Sequence, residues 1–311
     1  MKIVFLDAKT IGDDINLSGF DELGEVVKYG FSTTEEARER TKDADVIILN
    51  KVEINEKTIG EAKNLKLVCV TATGTNNLDK EYLAKRGIAW RNVAGYSTES
   101  VAQHTFAMLF YLLEKLRYYD DYVKTEKYVE DVSFTHFAKV FHELTGMTWG
   151  IVGLGNIGRR VADIAKMFGC RVIYYSTSGK NIQPGYDRVS FEELLTQSDI
   201  VSVHAPLDEN TQGLMNQAAF TKMKKTAIFL NLGRGPIVVE QDLADALNEG
   251  EIAAAGLDVL SVEPMQAQNP LRSIKDSEKL LITPHIAWAS VEARNRLMQI
   301  IVEQIKSFFP D

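Results

Sequence analysis

The sequence predicts an α/β protein made of two Rossmann-like domains, each with a parallel sheet. Short β-branched strands alternate with amphipathic helices almost throughout the 311 residues, a pattern typical of parallel sheets covered on both faces. The alternation is interrupted once, near the middle of the chain, and then restarts. The last helix is expected to return to the first domain. That smaller, flavodoxin-like domain is therefore built from both chain ends.

The elements before the interruption begin with three apolar strands and amphipathic segments such as the helix at 33–43. The strands lie at 2–7, 45–50 and 65–73. A long helix is predicted at 97–123, where Ser97 or Thr98 can cap the start and Glu99 favours the positive end of the dipole. Such a helix after a complete α/β unit indicates a crossover between domains. We therefore assign 1–97 plus 289–311 to a substrate (catalytic) domain and 98–288 to a dinucleotide-binding Rossmann domain.

The elements after the crossover begin with an aromatic segment at 128–148 that has weak periodicity. We interpret it as a loop or arm. The alternation restarts at Trp149, and an amphipathic helix at 291–309 ends the chain. Six strands are predicted between them, at 149–155, 170–176, 199–206, 227–233, 253–260 and 280–288.

The composition is that of an ordinary globular protein, with 45% hydrophobic and 25% charged residues. A net charge of -8 argues against nucleic acid or an anionic membrane as a partner. No apolar run approaches the roughly 20 residues of a membrane-spanning helix, and the start has no signal-peptide pattern. Cys69 and Cys170 are expected to be buried thiols in a reducing compartment. We therefore expect a cytoplasmic protein without a metal site.

Gly153, Gly155 and Gly158 form a G-x-G-x-x-G turn between an apolar strand and a helix. Gly153 permits the tight turn, Gly155 lets the backbone approach a pyrophosphate, and Gly158 lets the helix lie close to the strand. The pyrophosphate is expected at the N-terminus of the helix at about 156–168, where Asn156 and Ile157 lie. This context predicts a dinucleotide site.

Polar residues follow the other strands of this domain at their carboxyl ends, where open α/β sheets bind ligands. Arg234, between two glycines, is a natural partner for a carboxylate. His285 is a candidate proton donor, and Glu263 lies in a loop from which it can orient the imidazole and favour its acid form. The remaining residues at these strand ends are His204, Ala205, Pro206, Leu232, Gly233 and Asp258.

These motifs together resemble the D-isomer-specific 2-hydroxyacid dehydrogenase family, closest to glycerate dehydrogenases, also called hydroxypyruvate reductases. The resemblance rests on TATGTNNLD, GLGNIG, VSVHAP, NLGRGPIV, AGLDVLSVEP and TPHIAWAS, in this order along essentially the whole chain. It implies an enzyme that transfers a hydride between NAD(P)H and a small 2-keto acid, most closely hydroxypyruvate or glyoxylate, as the domains close and exclude water. Arg234, Glu263 and His285 would be catalytic, and Asp258 would hold the nicotinamide carboxamide. Substrate would also contact Asn50, Lys51, Thr73, Gly74 and Trp288.

Ser176 departs from the family pattern with consequences for the coenzyme. It occupies the position, about 20 residues after the glycine turn, where NAD-preferring members carry an acid for the ribose. Ser176, Thr177 and Ser178 offer hydroxyls instead, and Lys180 or Arg171 adds positive charge. We therefore favour NADPH, with NADH or dual use left open.

Three alternatives remain beside the main hypothesis. The first two are a reductase of another 2-keto acid, of the D-lactate or the phosphoglycerate dehydrogenase type. The third is a nucleotide-sensing corepressor-like binding protein, against which the intact set of Arg234, Glu263 and His285 argues. The resemblance also implies a homodimer, for which 128–148 and the helix at 97–123 are the candidate interface.

Overall fold

The computed structural model describes residues 1–310, which form two compact units. The terminal unit comprises Met1–Ser97 and the segment beginning at Trp288, and the central unit comprises Thr98–Ala287. Each unit contains one sheet, and every strand pair in it is parallel. The predicted α/β class with two parallel sheets is thus confirmed. Over residues 1–310, no helix has the length and apolar character needed to cross a membrane.

The sheet of the terminal unit has the flavodoxin-like order β2-β1-β3-β4-β5. Two of its strands were not predicted, because β2 and β5 are exposed or half-buried and lack an apolar run. The strands are β1 Lys2–Phe5, β2 Glu25–Lys28, β3 Val46–Leu49, β4 Leu67–Val70 and β5 Ala89–Arg91. The helices are α1 Thr34–Arg40, α2 Glu56–Ile59, α3 Lys80–Lys85 and the C-terminal helix Val291–Phe308.

The C-terminal helix covers one face of this sheet, as its amphipathic pattern predicted. Its Leu297, Ile301 and Ile305 are fully buried against Ile3 and Phe5 of β1. Each such side chain contributes roughly 1.5–3 kcal/mol through burial. Ser290 caps the helix by accepting a hydrogen bond from the Ala293 amide.

The sheet of the central unit has the order β12-β11-β10-β9-β6-β7-β8. The order reverses between β6 and β9, which makes this point the expected ligand crevice of a doubly wound sheet. The strands are β6 Thr148–Val152, β7 Arg171–Tyr175, β8 Asp187–Arg188, β9 Ile200–Val203, β10 Ile228–Asn231, β11 Ala254–Leu257 and β12 Leu280–Ile282. The helices are α4 Thr98–Leu113, α5 Leu116–Lys124, α6 Asn156–Met167, α7 Phe191–Gln197, α8 Gln217–Lys222 and α9 Glu240–Glu249.

The predicted single helix at 97–123 is wrong, because the chain breaks between α4 and α5. Lys115 adopts a left-handed conformation with φ of 56°, which ends a right-handed helix. Burial changes at this break: Met108 and Leu112 are buried in α4, whereas Leu116 is 44% exposed in α5.

The segment from 125 to 147 contains neither helix nor strand, in agreement with its interpretation as a loop. We call residues 116–142 the aromatic arm. The His136 ring stacks on Tyr122 with ring centroids 3.8 Å apart, and Nε2 of His136 lies 2.9 Å from the Tyr118 hydroxyl. Four apolar side chains of the arm are more than 80% exposed: Val129, Val132, Phe134 and Phe137.

Candidate active site

The central sheet brings the predicted site residues of this unit to one edge, where its strands end. Gly153 follows β6 and Ala205 follows β9, and a Cβ atom on Gly153 would lie 2.8 Å from the Ala205 backbone. The segments that follow β6 and β9 therefore meet at the point where the strand order reverses. Arg234, Asp258 and His285 follow the next strands along the same edge.

The glycine turn fits a dinucleotide pyrophosphate. Gly153 has a φ of 90°, and a Cβ on Gly158 would collide with the Gly153 carbonyl. A Cβ on Gly155 would meet nothing within 4 Å, so open space lies beside the turn. No side chain of residues 1–310 caps α6, which leaves the amides of Asn156 and Ile157 available to a phosphate.

The loop after β7 is folded back onto the glycine turn. Ser176 is buried, and its Oγ accepts a hydrogen bond of 3.2 Å from the Asn181 amide. Asn181 in turn donates through Nδ2 to the Leu154 carbonyl at 2.9 Å. Thr177 is half-buried, and Ser178 and Lys180 are exposed. The strand therefore ends in hydroxyls and a lysine, with no carboxylate at residues 176–183.

Arg171 does not contribute to this loop, contrary to the sequence-based expectation. It begins β7, so five strand residues, or roughly 16 Å, separate it from Ser176. Its guanidinium donates to Oε1 of Gln197. The strand direction places this charge at the opposite edge of the sheet.

His204 is present at the crevice as a neutral imidazole. Its Nε2 lies 3.1 Å from Oγ of Ser202, which also accepts a 2.9 Å hydrogen bond from Nε1 of Trp149. The buried Nδ1 has no hydrogen-bond partner within residues 1–310. Burial lowers the pKa of His204 to about 3, so this side chain is not a proton donor near neutral pH.

A buried asparagine shapes the turn that carries Arg234. Asn231 accepts from the Gly233 amide and donates to the Arg234 carbonyl, each at 3.0 Å. Nη1 of Arg234 donates to the Gly233 carbonyl at 2.8 Å, and no carboxylate in the described part of the chain pairs with it. The other guanidinium donors are therefore available for a substrate carboxylate. Leu232, before this turn, is buried.

His285 and Glu263 are brought together, although they belong to different loops. Nδ1 of His285 lies 2.7 Å from Oε2 of Glu263, and Oε1 of Glu263 accepts from the Leu260 amide at 3.0 Å. Because an ionised carboxylate only accepts hydrogen bonds, Nδ1 is the protonated nitrogen. Nε2 is left to exchange a proton with a substrate.

Asp258 uses most of its carboxylate within the protein. It is 2% exposed, and its Oδ1 accepts from the Thr283 hydroxyl at 2.6 Å and the Ile286 amide at 2.9 Å. Within residues 1–310, Oδ2 accepts only from the Ala287 amide, at 2.9 Å. Oδ2 can therefore accept a further hydrogen bond, which the resemblance assigns to the carboxamide of the nicotinamide.

Two residues support the site although the sequence assigned them no role in it. Glu240 begins α9, and its carboxylate accepts from the Ser261 amide at 2.7 Å and from Asn269 at 2.8 Å, so it holds the loop that carries Glu263. Nε2 of His104 lies 3.1 Å from Oγ1 of Thr283. These contacts join residues far apart in sequence, so motif spacing could not predict them.

The predicted substrate residues of the terminal unit follow its strands. The Asn50 and Lys51 amides donate to the buried carboxylate of Asp7, at 2.8 and 2.7 Å, which fixes the loop after β3. After β4, Thr73 donates to the Val93 carbonyl at 3.0 Å. The amides of Thr73 and its neighbour Gly74 have no acceptor in the described chain. The Trp288 ring packs on Tyr96, with ring centroids 6.3 Å apart.

Comparison with known proteins agrees with this geometry. Residues 106–287 match the family model described as D-isomer specific 2-hydroxyacid dehydrogenase, NAD binding domain. The chain is 37% identical to the hydroxypyruvate reductase of Blautia hydrogenotrophica, covering 99% of this chain and 97% of that protein. It is 33% identical to the glycerate dehydrogenase of Methylorubrum extorquens, covering 99% and 96%. A solved acyclic imino acid reductase in complex with NADPH and D-Arg is 29% identical and superposes with a TM-score of 0.87, covering 99% and 97%. The chain therefore belongs to the D-isomer-specific 2-hydroxyacid dehydrogenase family of nicotinamide-dependent oxidoreductases.

Proposed function

We propose that this enzyme reduces hydroxypyruvate or glyoxylate to D-glycerate or glycolate, with His285 as the proton donor. The observation that carries the proposal is the 2.7 Å contact of His285 Nδ1 with Glu263, at the same sheet edge as an unpaired Arg234. The names of the two curated relatives support the substrate class.

Each catalytic side chain has a defined task in this reaction. Arg234 holds the substrate carboxylate with the guanidinium donors that the protein leaves unused. Glu263 orients the imidazole by accepting a hydrogen bond from its Nδ1. His285 delivers a proton from Nε2 to the carbonyl oxygen, and in the reverse direction the same atom accepts it. Thr73 and Gly74 offer their amides, and Asn50, Lys51 and Trp288 stay proposed substrate contacts.

The coenzyme supplies the hydride that reaches C2 of the keto acid, while one proton completes the alcohol. Residues 153–158 would hold its pyrophosphate, and the predicted contacts at 204–206, 232–233 and Asp258 lie along the same edge of the sheet. We propose NADPH as the preferred form. Ser176 and its neighbours present no negative charge to a 2′-phosphate, and the exposed Lys180 presents a positive one.

We further propose that the enzyme is a homodimer joined through 128–148 and the helical segment 97–123, regions that include most of the aromatic arm. Val132 and Phe134 are 104% and 89% exposed, and large apolar side chains left exposed in one segment are what an interaction site would cover. We place the enzyme in the cytoplasm because Cys69 and Cys170 are buried and unpaired, as in a reducing compartment.

The test is the initial rate of coenzyme oxidation with hydroxypyruvate, glyoxylate, pyruvate and phosphohydroxypyruvate, each with NADH and NADPH. The proposal expects the highest kcat/KM with hydroxypyruvate or glyoxylate and with NADPH. A higher value with pyruvate or the phosphorylated acid would assign the enzyme to the D-lactate or the phosphoglycerate type. Coenzyme binding without turnover of any acid would support a corepressor-like protein.

A further inference from the structure

The backbone of the loop that carries His285 is in an unfavourable conformation. His285 has a φ of 56°, a left-handed geometry that is disfavoured for a residue with a Cβ atom. Its amide donates to the carbonyls of Asp258 at 2.8 Å and Thr283 at 2.9 Å. Such a conformation persists only where the surrounding structure holds it.

The Asp258 carboxylate holds this loop on both sides of His285. It accepts hydrogen bonds from the Thr283 hydroxyl before His285 and from the amides of Ile286 and Ala287 after it. Because the carboxylate is 2% exposed, water competes little for these bonds.

The direction of the hydrogen bonds extends this network to His104. The single hydroxyl hydrogen of Thr283 is donated to Asp258, so Oγ1 of Thr283 accepts from Nε2 of His104 at 3.1 Å. Nε2 of His104 therefore carries a hydrogen. The same Nε2 atom lies 3.7 Å from Oδ1 of Asp258. Hydrogen bonds are thus donated from His104 to Thr283 and from Thr283 to Asp258.

The position of His104 is fixed by the packing of α4 on β11. A Cβ on Gly256 would lie 3.2 Å from Met108 and 3.3 Å from Leu112, so α4 approaches the strand as closely as a glycine allows. Gly256 is two residues before Asp258, so this close approach holds α4, which carries His104, against the strand that leads to Asp258.

We propose that His104 and Thr283 are positioning residues for the catalytic histidine. They act through Asp258: Thr283 donates to Oδ1 of its carboxylate, and His104 holds Thr283 in place. The left-handed turn is thereby kept in the geometry that aims Nε2 of His285 at the substrate carbonyl. This role rests on the proposed function for its kinetic consequence, but the network itself concerns only this chain.

The test compares Thr283→Val, which removes the hydroxyl at constant shape, with Thr283→Ser, which keeps it. Thr283→Val is expected to lower kcat with hydroxypyruvate at least tenfold, because small misplacements of a reacting group are costly. The Kd for coenzyme is measured beside kcat, because Asp258 is also assigned to the nicotinamide carboxamide. Thr283→Ser is expected to restore most of kcat. His104→Leu should match Thr283→Val, whereas His104→Gln keeps a donor and should lose less. Thr221→Val, on the exposed face of α8, is the matched control.

Amide hydrogen exchange of peptides covering 283–289 tests the network without any substrate. Thr283→Val and His104→Leu are expected to speed exchange at Ile286 and Ala287, with the protection of β9 and β10 unchanged. Wild-type exchange rates together with wild-type kcat in both variants would overturn the proposal. If the wild-type enzyme turns over none of the keto acids, the proposed function fails, and faster exchange in the variants still upholds the network.

Discussion

Nδ1 of His285 lies 2.7 Å from Oε2 of Glu263, and this contact decides which nitrogen exchanges protons. The carboxylate is itself held, because Oε1 accepts from the Leu260 amide and Glu240 fixes the same loop through the Ser261 amide. The imidazole is thereby kept in one tautomer and one orientation, as general acid–base catalysis requires.

Replacing either member of this pair is expected to impair turnover to different degrees. His285→Gln removes the proton donor, so kcat with hydroxypyruvate should fall by about 10³-fold or more. Glu263→Gln keeps a side chain of the same shape but removes the charge, and we expect a loss of about 10- to 100-fold. Steady-state kinetics measure both.

The coenzyme affinity of both variants, measured by fluorescence titration, should stay close to the wild-type value, since neither residue is assigned to the coenzyme. His142→Gln, at an exposed position, serves as the control. Turnover that survives in His285→Gln would show that another group donates the proton.

Ser176→Asp is expected to reverse the proposed coenzyme preference. A carboxylate at the end of β7 would repel a 2′-phosphate and accept from a ribose hydroxyl. The ratio of kcat/KM for NADPH to that for NADH should therefore fall at least tenfold, since like charges placed together cost several kcal/mol. Ser176→Asn adds similar bulk without charge and should change the ratio little. An unchanged ratio in Ser176→Asp would mean that the 2′ position lies elsewhere.

The aromatic arm is expected to control subunit association. The double variant Phe134→Asp, Phe137→Asp places two charges on side chains that are 89% and 88% exposed, so folding of one chain should be unaffected. Burial of such charges at an interface is unfavourable, and the dimer should dissociate. Light scattering coupled to gel filtration gives the mass. A monomeric wild-type protein would contradict the proposed dimer itself.

Much of the fold could be predicted because buried parallel strands have a strong sequence pattern. Each residue of β3, β4, β9 and β10 is buried, and all four were recognised as apolar runs. The edge strands β2, β5 and β8 were missed because their exposed or half-buried positions impose no apolar requirement, whereas the edge strand β12 lies within the predicted strand 280–288. The break at Lys115 was also missed, since a lysine in the left-handed region carries no sequence mark.

The candidate site was predictable where function demands a residue type at a strand end. Arg234, Asp258 and His285 all follow strands of one parallel sheet, so they had to reach one edge. The supporting roles of Glu240 and His104 could not be predicted, because the contacts of these residues depend on how distant elements pack together. Arg171 shows the reverse error: its charge suited a phosphate, but it begins the strand that Ser176 follows.

Both cysteines are expected to resist thiol reagents in the native protein. Burial raises the pKa of Cys69 to about 12 and that of Cys170 to about 11, and the thiolate is the reactive form. Dithionitrobenzoate at pH 8 should therefore titrate neither thiol within minutes, and both after addition of guanidinium. The variant Cys170→Ser keeps only Cys69, whose higher pKa should make it the slower of the two thiols to react. Rapid labelling of the native wild type would show that the structure around one of the two cysteines opens readily.

The stability of the coenzyme-free protein should fall below neutral pH because of His204. Its pKa is lowered by burial from 6.5 to about 3, so between these values only the unfolded chain binds the proton. Acid therefore stabilises the unfolded state. The free energy of unfolding begins to fall as the pH drops through 6.5, the pKa of histidine in the unfolded chain, and continues to fall until the pH reaches about 3. Between pH 7 and pH 5 the linkage amounts to about 2 kcal/mol.

Urea denaturation of wild type and His204→Asn at both pH values isolates this contribution. The wild type should lose about 2 kcal/mol more unfolding free energy than the variant, because asparagine does not titrate. His142→Asn removes an exposed histidine and should keep the wild-type pH dependence. Equal losses in wild type and His204→Asn would mean that His204 is protonated in the folded protein. It would then have to be considered beside His285 as a proton donor at the crevice.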